Sequence, residues 1–169
     1  MCMTNFEYID FLPNLPEEIV EEILALIADP INWENKESNI HYEINKTPEN
    51  YQVFPGTENL YRFIHQHLDA TYIAVIQVIK NKFPIHIDIG RSTVFNYAIQ
   101  TGGDDIYTSF YRKGTNGFEV QESHKIEPRK WHKLNVKVLH DVSMIPANNM
   151  RVMLSVFRRD EDNPFKVIR

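Results

Sequence analysis

KLNVKVLHD, residues Lys133 to Asp141, sets a histidine where a buried strand would otherwise be apolar. Side chains alternate between the two faces of a strand. Leu134, Val136 and Val138 therefore share a phase with His140, and Asn135 and Lys137 take the other. Unless a bulge intervenes, His140 points inward, where an imidazole needs a hydrogen-bond partner or a metal.

An earlier stretch, FPIHIDIGRS (Phe83 to Ser92), alternates in the same way. His86 and Asp88 fall on one phase, and Ile85, Ile87 and Ile89 on the other. Taken alone, this is a strand with one wet face and a core of isoleucines. An inward His140 reverses that reading: the polar pair points into the fold and the isoleucines pack against an outer layer.

Working outward, IHIDI, TVFNYAIQ, DIYTSFYR, GFEVQES, KLNVKVLHD and RVMLSVFRR are short strand signals, with turns at TGGDD, KGTNG and PANN. Such spacing predicts a sandwich or open barrel rather than a βαβ layout. TYIAVIQVIK, rich in β-branched residues, is read as a further strand. Upstream, LPEEIVEEILALIADP predicts a helix that starts near Pro16 and stops at Pro30, with Ile19, Ile23, Leu24 and Leu26 as its apolar stripe. TENLYRFIHQHLD predicts a second helix capped by Thr57, burying Leu60, Phe63 and Ile64. Between them lies a polar excursion with a short strand expected at His41 to Ile44. Its aromatics, Trp33, Tyr42, Tyr51 and Phe54, either wall an active-site mouth or cover the outside of the barrel.

The expectation is one domain over 1–169, with N-terminal helices and a supporting segment at 12–80 and a β core at 83–158. A formal net charge of −5 and scattered basic residues argue against nucleic acid as a partner. Cys2 is the one cysteine, so neither an internal disulfide nor a cysteine zinc cluster is available, and a reducing, cytoplasmic setting is expected. No apolar run reaches the ~20 residues of a membrane span.

Two imidazoles and one carboxylate form the ligand set that holds ferrous iron on one face of an octahedron; zinc or manganese accept the same donors. His86, Asp88 and His140 are the candidates. His41, His65, His67, His124 and His132 are set aside. His65 and His67 diverge on a helix, and His132, beside Trp131 at a strand entrance, is open to a surface or lid role. Arg151 opens the last strand, either as a solvated end or as a two-pronged clamp for a carboxylate.

The order His86, Asp88, His140, Arg151 resembles the 2-oxoglutarate/Fe(II)-dependent oxygenases. FNYAIQTGGDDIYTSFY and WHKLNVKVLHDVSMIPANNMRVMLSVF resemble the family's glycine-turn and closing hairpins. The likeness covers Ile73 to Phe157 and is nearest to aspartyl/asparaginyl β-hydroxylase-like and small phage or bacterial members. It implies a mainly β fold with supporting N-terminal helices, a double-stranded β-helix (jelly roll, cupin-like). It also implies iron on His86, Asp88 and His140, with 2-oxoglutarate held at its far carboxylate by Arg151. Dioxygen and a small-molecule or peptide substrate would complete the reaction. Two departures stand out. PANNM lacks the glycine often found before the arginine, and Met153 replaces the serine two positions after it. Tyr97, Tyr107 and Thr108 are the candidates for the missing hydroxyl, each with strand packing as the alternative, and Asn96 is an alternative for facing the site. Two other functions compete: a jelly-roll protein without turnover, and a cupin-like metal enzyme that does not use 2-oxoglutarate.

Overall fold

The computed structural model describes residues 4–34 and 51–159. Tyr42 and the strand expected at His41 to Ile44 lie outside the described residues. The fold is mainly β, with helices near its N-terminus. Helix α1 (Glu17–Ala28) begins after Pro16, carries Glu17 and Glu18 in its first turn, and buries Ile19, Val20, Ile23 and Ile27. The buried stripe is thus the i, i+4, i+8 row, and Leu24 and Leu26 are only partly covered. A short α2 (Ile31–Glu34) follows. In α3 (Glu58–His67), Thr57 caps the first turn by accepting the Leu60 N–H at 3.3 Å, and Leu60, Phe63 and Ile64 are buried.

The strands are β1 (Phe6–Tyr8), β2 (Tyr51–Pro55), β3 (Ile73–Ile79), β4 (Phe83–His86), β5 (Thr93–Thr101), β6 (Tyr107–Gly114), β7 (Gly117–Lys125), β8 (Trp131–Asn135), β9 (Leu139–Val142) and β10 (Arg151–Phe157). They form a six-stranded sheet in the order β1-β8-β5-β10-β3-β2 and a four-stranded sheet in the order β4-β9-β6-β7, with antiparallel pairing. Hydrogen bonding leaves two facing sheets rather than one closed barrel. TYIAVIQVIK forms β3, an interior strand of the large sheet between β10 and the edge strand β2, as its β-branched content predicts. Strands β1, β2 and β3 lie in the same sheet as β5, β8 and β10.

One face of the large sheet packs beneath the helices. Phe54, Ile76, Val78, Tyr97, Trp131, Val152 and Leu154 join Ile23, Leu60 and Ile64 in one core. Each such side chain contributes about 1.5–3 kcal/mol by leaving water. The alternate residues face the small sheet, where Val94 and Leu134 pack on Phe110 and Ala98 packs on Met153.

Two expectations change here. KLNVKVLHD is not one strand. It breaks after Asn135, whose Oδ1 accepts the Lys137 N–H at 3.2 Å, and the chain crosses from β8 in the large sheet to β9 in the small one. The turn resets the phase, so Leu134, Val136 and Val138 do not determine where His140 points. FPIHIDI likewise ends as a strand at His86. Asp88 stands in the loop that follows, its N–H bonded to Val136 O at 2.9 Å. Ile87 and Ile89 are therefore 49% and 46% exposed instead of packed against an outer layer. Among the described residues, no helix is long and apolar enough to cross a membrane.

Candidate metal centre

His86 and His140 face each other across the β4–β9 pair as register partners, with ring centroids 4.3 Å apart. Each ring is held the same way. His86 Nδ1 lies 2.7 Å from Pro84 O, and His140 Nδ1 lies 2.8 Å from Val138 O. A carbonyl can only accept, so each Nδ1 carries the proton and each Nε2 presents a lone pair. Asp88 Oδ1 sits 3.3 Å from His86 Nε2 and 3.9 Å from His140 Nε2. One donor atom from each residue falls within 4.8 Å of the others. Ligand atoms on one face of an octahedral ion stand about 3 Å apart, given metal–ligand bonds near 2 Å. The three donors need only a small contraction to share an ion.

The surroundings keep His140 and Asp88 in the protonation states that a metal requires. Burial, reinforced by His86, pushes His140 down to about 4, so it is neutral at pH 7. Burial raises the Asp88 carboxyl. Its contact with the His86 ring and the Arg91 guanidinium beside it outweigh this and hold the group well below the usual carboxylate range. Phe83 meets His86 edge-on at 4.5 Å and Phe110 lies 6.0 Å from His140, giving the site apolar walls.

Arg91 was not foreseen from the sequence. Its Nε and Nη2 donate to Asp88 Oδ2 at 2.7 and 2.6 Å. The signal was there, since an arginine three residues after the carboxylate, with Gly90 between them, can fold back onto it. Gly90 has φ 80°, a value that favours glycine. Tyr51, one of the aromatics read as a possible wall of the mouth, also belongs here. It is buried, hydrogen-bonds Gln77, and lies within electrostatic reach of Arg91 and Asp88.

Arg151 is 3% exposed, and burial lowers its guanidinium to about 10. Its Nη2 donates to Thr108 Oγ1 at 3.0 Å, across the gap between the sheets. The structure thus brings Thr108 to Arg151. Tyr97 lies on the opposite face of β5, buried against Trp131 at 5.0 Å and hydrogen-bonded to the Leu15 backbone. Tyr107, next to Thr108 on its strand, points outward and is 37% exposed. Asn96 does face the interior, accepting from Ser155 Oγ at 2.5 Å.

His132 is fully buried rather than a surface or lid residue. It packs against Phe6 and Tyr8, with Nδ1 3.4 Å from Lys130 O. Burial pushes it down to about 3, helped by Arg151. Its Nε2 is a buried polar atom with no hydrogen-bond partner among the described residues. Two other histidines set aside bond elsewhere, His65 Nε2 to Tyr72 O at 3.1 Å and His124 Nε2 to Glu122 at 2.9 Å, and His41 lies outside the described residues.

The fold is shared with iron oxygenases. The chain is similar to a 2OG-Fe(II) oxygenase family oxidoreductase from Burkholderia pseudomallei, with TM-score 0.53, 13% identity, and coverage of 92% of this chain and 84% of that one. It is equally similar to a prolyl-4-hydroxylase from Pseudomonas putida, with TM-score 0.53, 14% identity, and coverage of 92% and 93%. At these identities the likeness speaks for the fold. No protein-family model matches the chain, and no curated protein matches it.

Proposed function

We propose that the protein is an Fe(II)- and 2-oxoglutarate-dependent oxygenase acting on a small-molecule or peptide substrate. The observation that carries this reading is Arg151, a buried cation that no carboxylate pairs with among the described residues, inside a sandwich that also holds a two-histidine, one-carboxylate cluster. A buried charge without a counter-charge costs several kcal/mol, so an anionic ligand is its natural partner. A cupin-like metal protein without this cosubstrate, or a jelly roll without turnover, has no use for that cation.

The spacing is compatible with a five-carbon dicarboxylate. Thr108, which holds the guanidinium, pairs with Val142, and Phe110 pairs with His140. Two residues of strand separate the two levels by about 7 Å. An anion chelated at the metal end can therefore present its far carboxylate to Arg151 and the Thr108 hydroxyl.

The donor set fits iron. When bound, the metal supplies the activation of dioxygen that is coupled to oxidative decarboxylation of the cosubstrate. The chain's own residues do the rest. Pro84 O and Val138 O fix both imidazole tautomers, Asp88 contributes one negative charge, Arg151 orients the anion, and Phe83 and Phe110 limit water.

The test is an anaerobic titration of the purified protein with Fe(II) and then 2-oxoglutarate. A visible metal-to-ligand charge-transfer band in the wild type, absent in Arg151→Met at the same concentrations, is expected. Iron demonstrably bound without any band overturns the cosubstrate assignment.

A further inference from the structure

We infer that Arg91 is a positioning residue that makes Asp88 a one-oxygen ligand and leaves the rest of the metal's coordination sphere for an anionic chelator. This rests on the metal centre proposed above and extends it to a residue outside the donor set.

Both Arg91 hydrogen bonds converge on the same carboxylate oxygen, Oδ2, at 2.6 and 2.7 Å. The other oxygen, Oδ1, faces the two Nε2 atoms. A carboxylate free to rotate can bind a cation through both oxygens, which takes an extra coordination position. Here Oδ2 is committed to a planar fork, and only Oδ1 is free to coordinate. The fork is itself fixed: the guanidinium lies over the Phe157 ring, 4.5 Å from its centroid, at the far end of the strand that Arg151 begins. The loop is tied from the other side by Asp88 N to Val136 O at 2.9 Å and Val136 N to Ser92 O at 3.0 Å. Neither Asp88 nor Arg91 is free to swing: their side chains are 11% and 16% exposed.

The charges lead to the same role. Pro84 O and Val138 O keep the ring protons of His86 and His140 at Nδ1, so each Nε2 offers a lone pair and no charge of its own to the metal, and Arg91 offsets the charge of Asp88. A dication in the centre then keeps a local surplus of two positive charges in a poorly solvated pocket. Such a centre attracts an anion that can chelate and penalises neutral ligands by comparison. Removing the guanidinium removes both the fork and the local positive charge; lysine keeps the charge and loses the fork.

The experiment uses Co(II) alone as the probe, read by its visible d–d spectrum and by equilibrium titration, on the wild type, Arg91→Lys, Arg91→Met and His140→Ala. One Co(II) per chain in the wild type, lost in His140→Ala, establishes the centre. Arg91→Lys is then expected to weaken Co(II) about tenfold or more and to alter the spectrum. Arg91→Met is expected to alter the spectrum in the same direction. If Arg91 only braces the loop, both variants melt at lower temperature yet bind Co(II) with the wild-type spectrum and affinity, and the inference fails while the centre stands. If the wild type binds no Co(II), or His140→Ala binds it equally well, the metal centre itself fails and Arg91 loses its role with it. Arg91→Lys, which keeps the charge, remains informative should Arg91→Met not fold.

Discussion

Gly102 lies directly against the backbone of Arg151. A Cβ added at Gly102 would stand 3.2 Å from Arg151 N, 3.3 Å from its Cβ and 2.9 Å from Ile145 Cδ1. Gly102 also has φ +90°, where side chains are strained. The glycine turn after β5 is therefore the surface on which the buried arginine is seated. Gly102→Ala is expected to cost about 1–3 kcal/mol in denaturant unfolding. Its sharper consequence is a split in binding: 2-oxoglutarate affinity of the metal-loaded protein falls several-fold, while metal affinity stays within about twofold. Equal loss of both would mean that the turn supports the whole sandwich and not the clamp.

Thr108 gives a second, independent handle on the same guanidinium. Thr108→Val removes the acceptor at 3.0 Å and leaves a buried donor unpaired, a change worth about 1–3 kcal/mol of stability. Thr108→Ser keeps the hydroxyl and should retain cosubstrate binding that Thr108→Val loses. Calorimetric titration of both variants with 2-oxoglutarate would reveal a role limited to packing as identical weakening.

Among the histidines, the centre and the bystanders should separate cleanly. His86→Ala and His140→Ala each remove one donor atom and should lower metal affinity by at least about 10-fold. His65→Ala breaks one exposed bond to Tyr72 O and should leave it unchanged. Equilibrium dialysis against Fe(II) under anaerobic conditions reads all three.

His132 links stability to pH. Its folded-state pKa is pushed by burial down to about 3 from the 6.5 of an ordinary imidazole, so the unfolded chain binds a proton that the folded one refuses between those values. Stability from this group is complete above pH 6.5 and falls at up to about 1.4 kcal/mol per pH unit on acidification. Melting between pH 7 and pH 4.5 should show a steep decline that is shallower in His132→Gln. A decline of equal slope in the variant would assign acid sensitivity to other groups.

The three residues of the candidate metal cluster were legible in the sequence for reasons that were only partly sound. His86, Asp88 and His140 do converge. The strand alternation used to aim them holds for His86 but not for the other two: Asp88 sits in a loop and His140 lies beyond a turn at Asn135. Alternation reports a face only while the chain stays in one sheet, and one sequence does not announce where it crosses to another. The choice among Tyr97, Tyr107 and Thr108 had the same origin. Neighbouring positions on a strand look alike in composition, whereas their faces lead to the helix core, the solvent and the interior. Helix α3 and its Thr57 cap were readable because capping is local. Arg91 was missed because its partner lies three residues away across a glycine turn, a pattern that matters only once the carboxylate is known to be a ligand.

Arg151 leaves the large sheet, yet its guanidinium is tied to Thr108 on β6, and His140 lies on β9, the neighbour of β6. Both poles of the proposed anion site are thus referenced to the same small sheet. Breathing of one sheet against the other would stretch the aliphatic stem of Arg151 before it altered the distance between guanidinium and imidazoles. Selection for ligand length is in this way insulated from the softest motion of a sandwich, and it rests on the hydrogen-bonded register between β6 and β9.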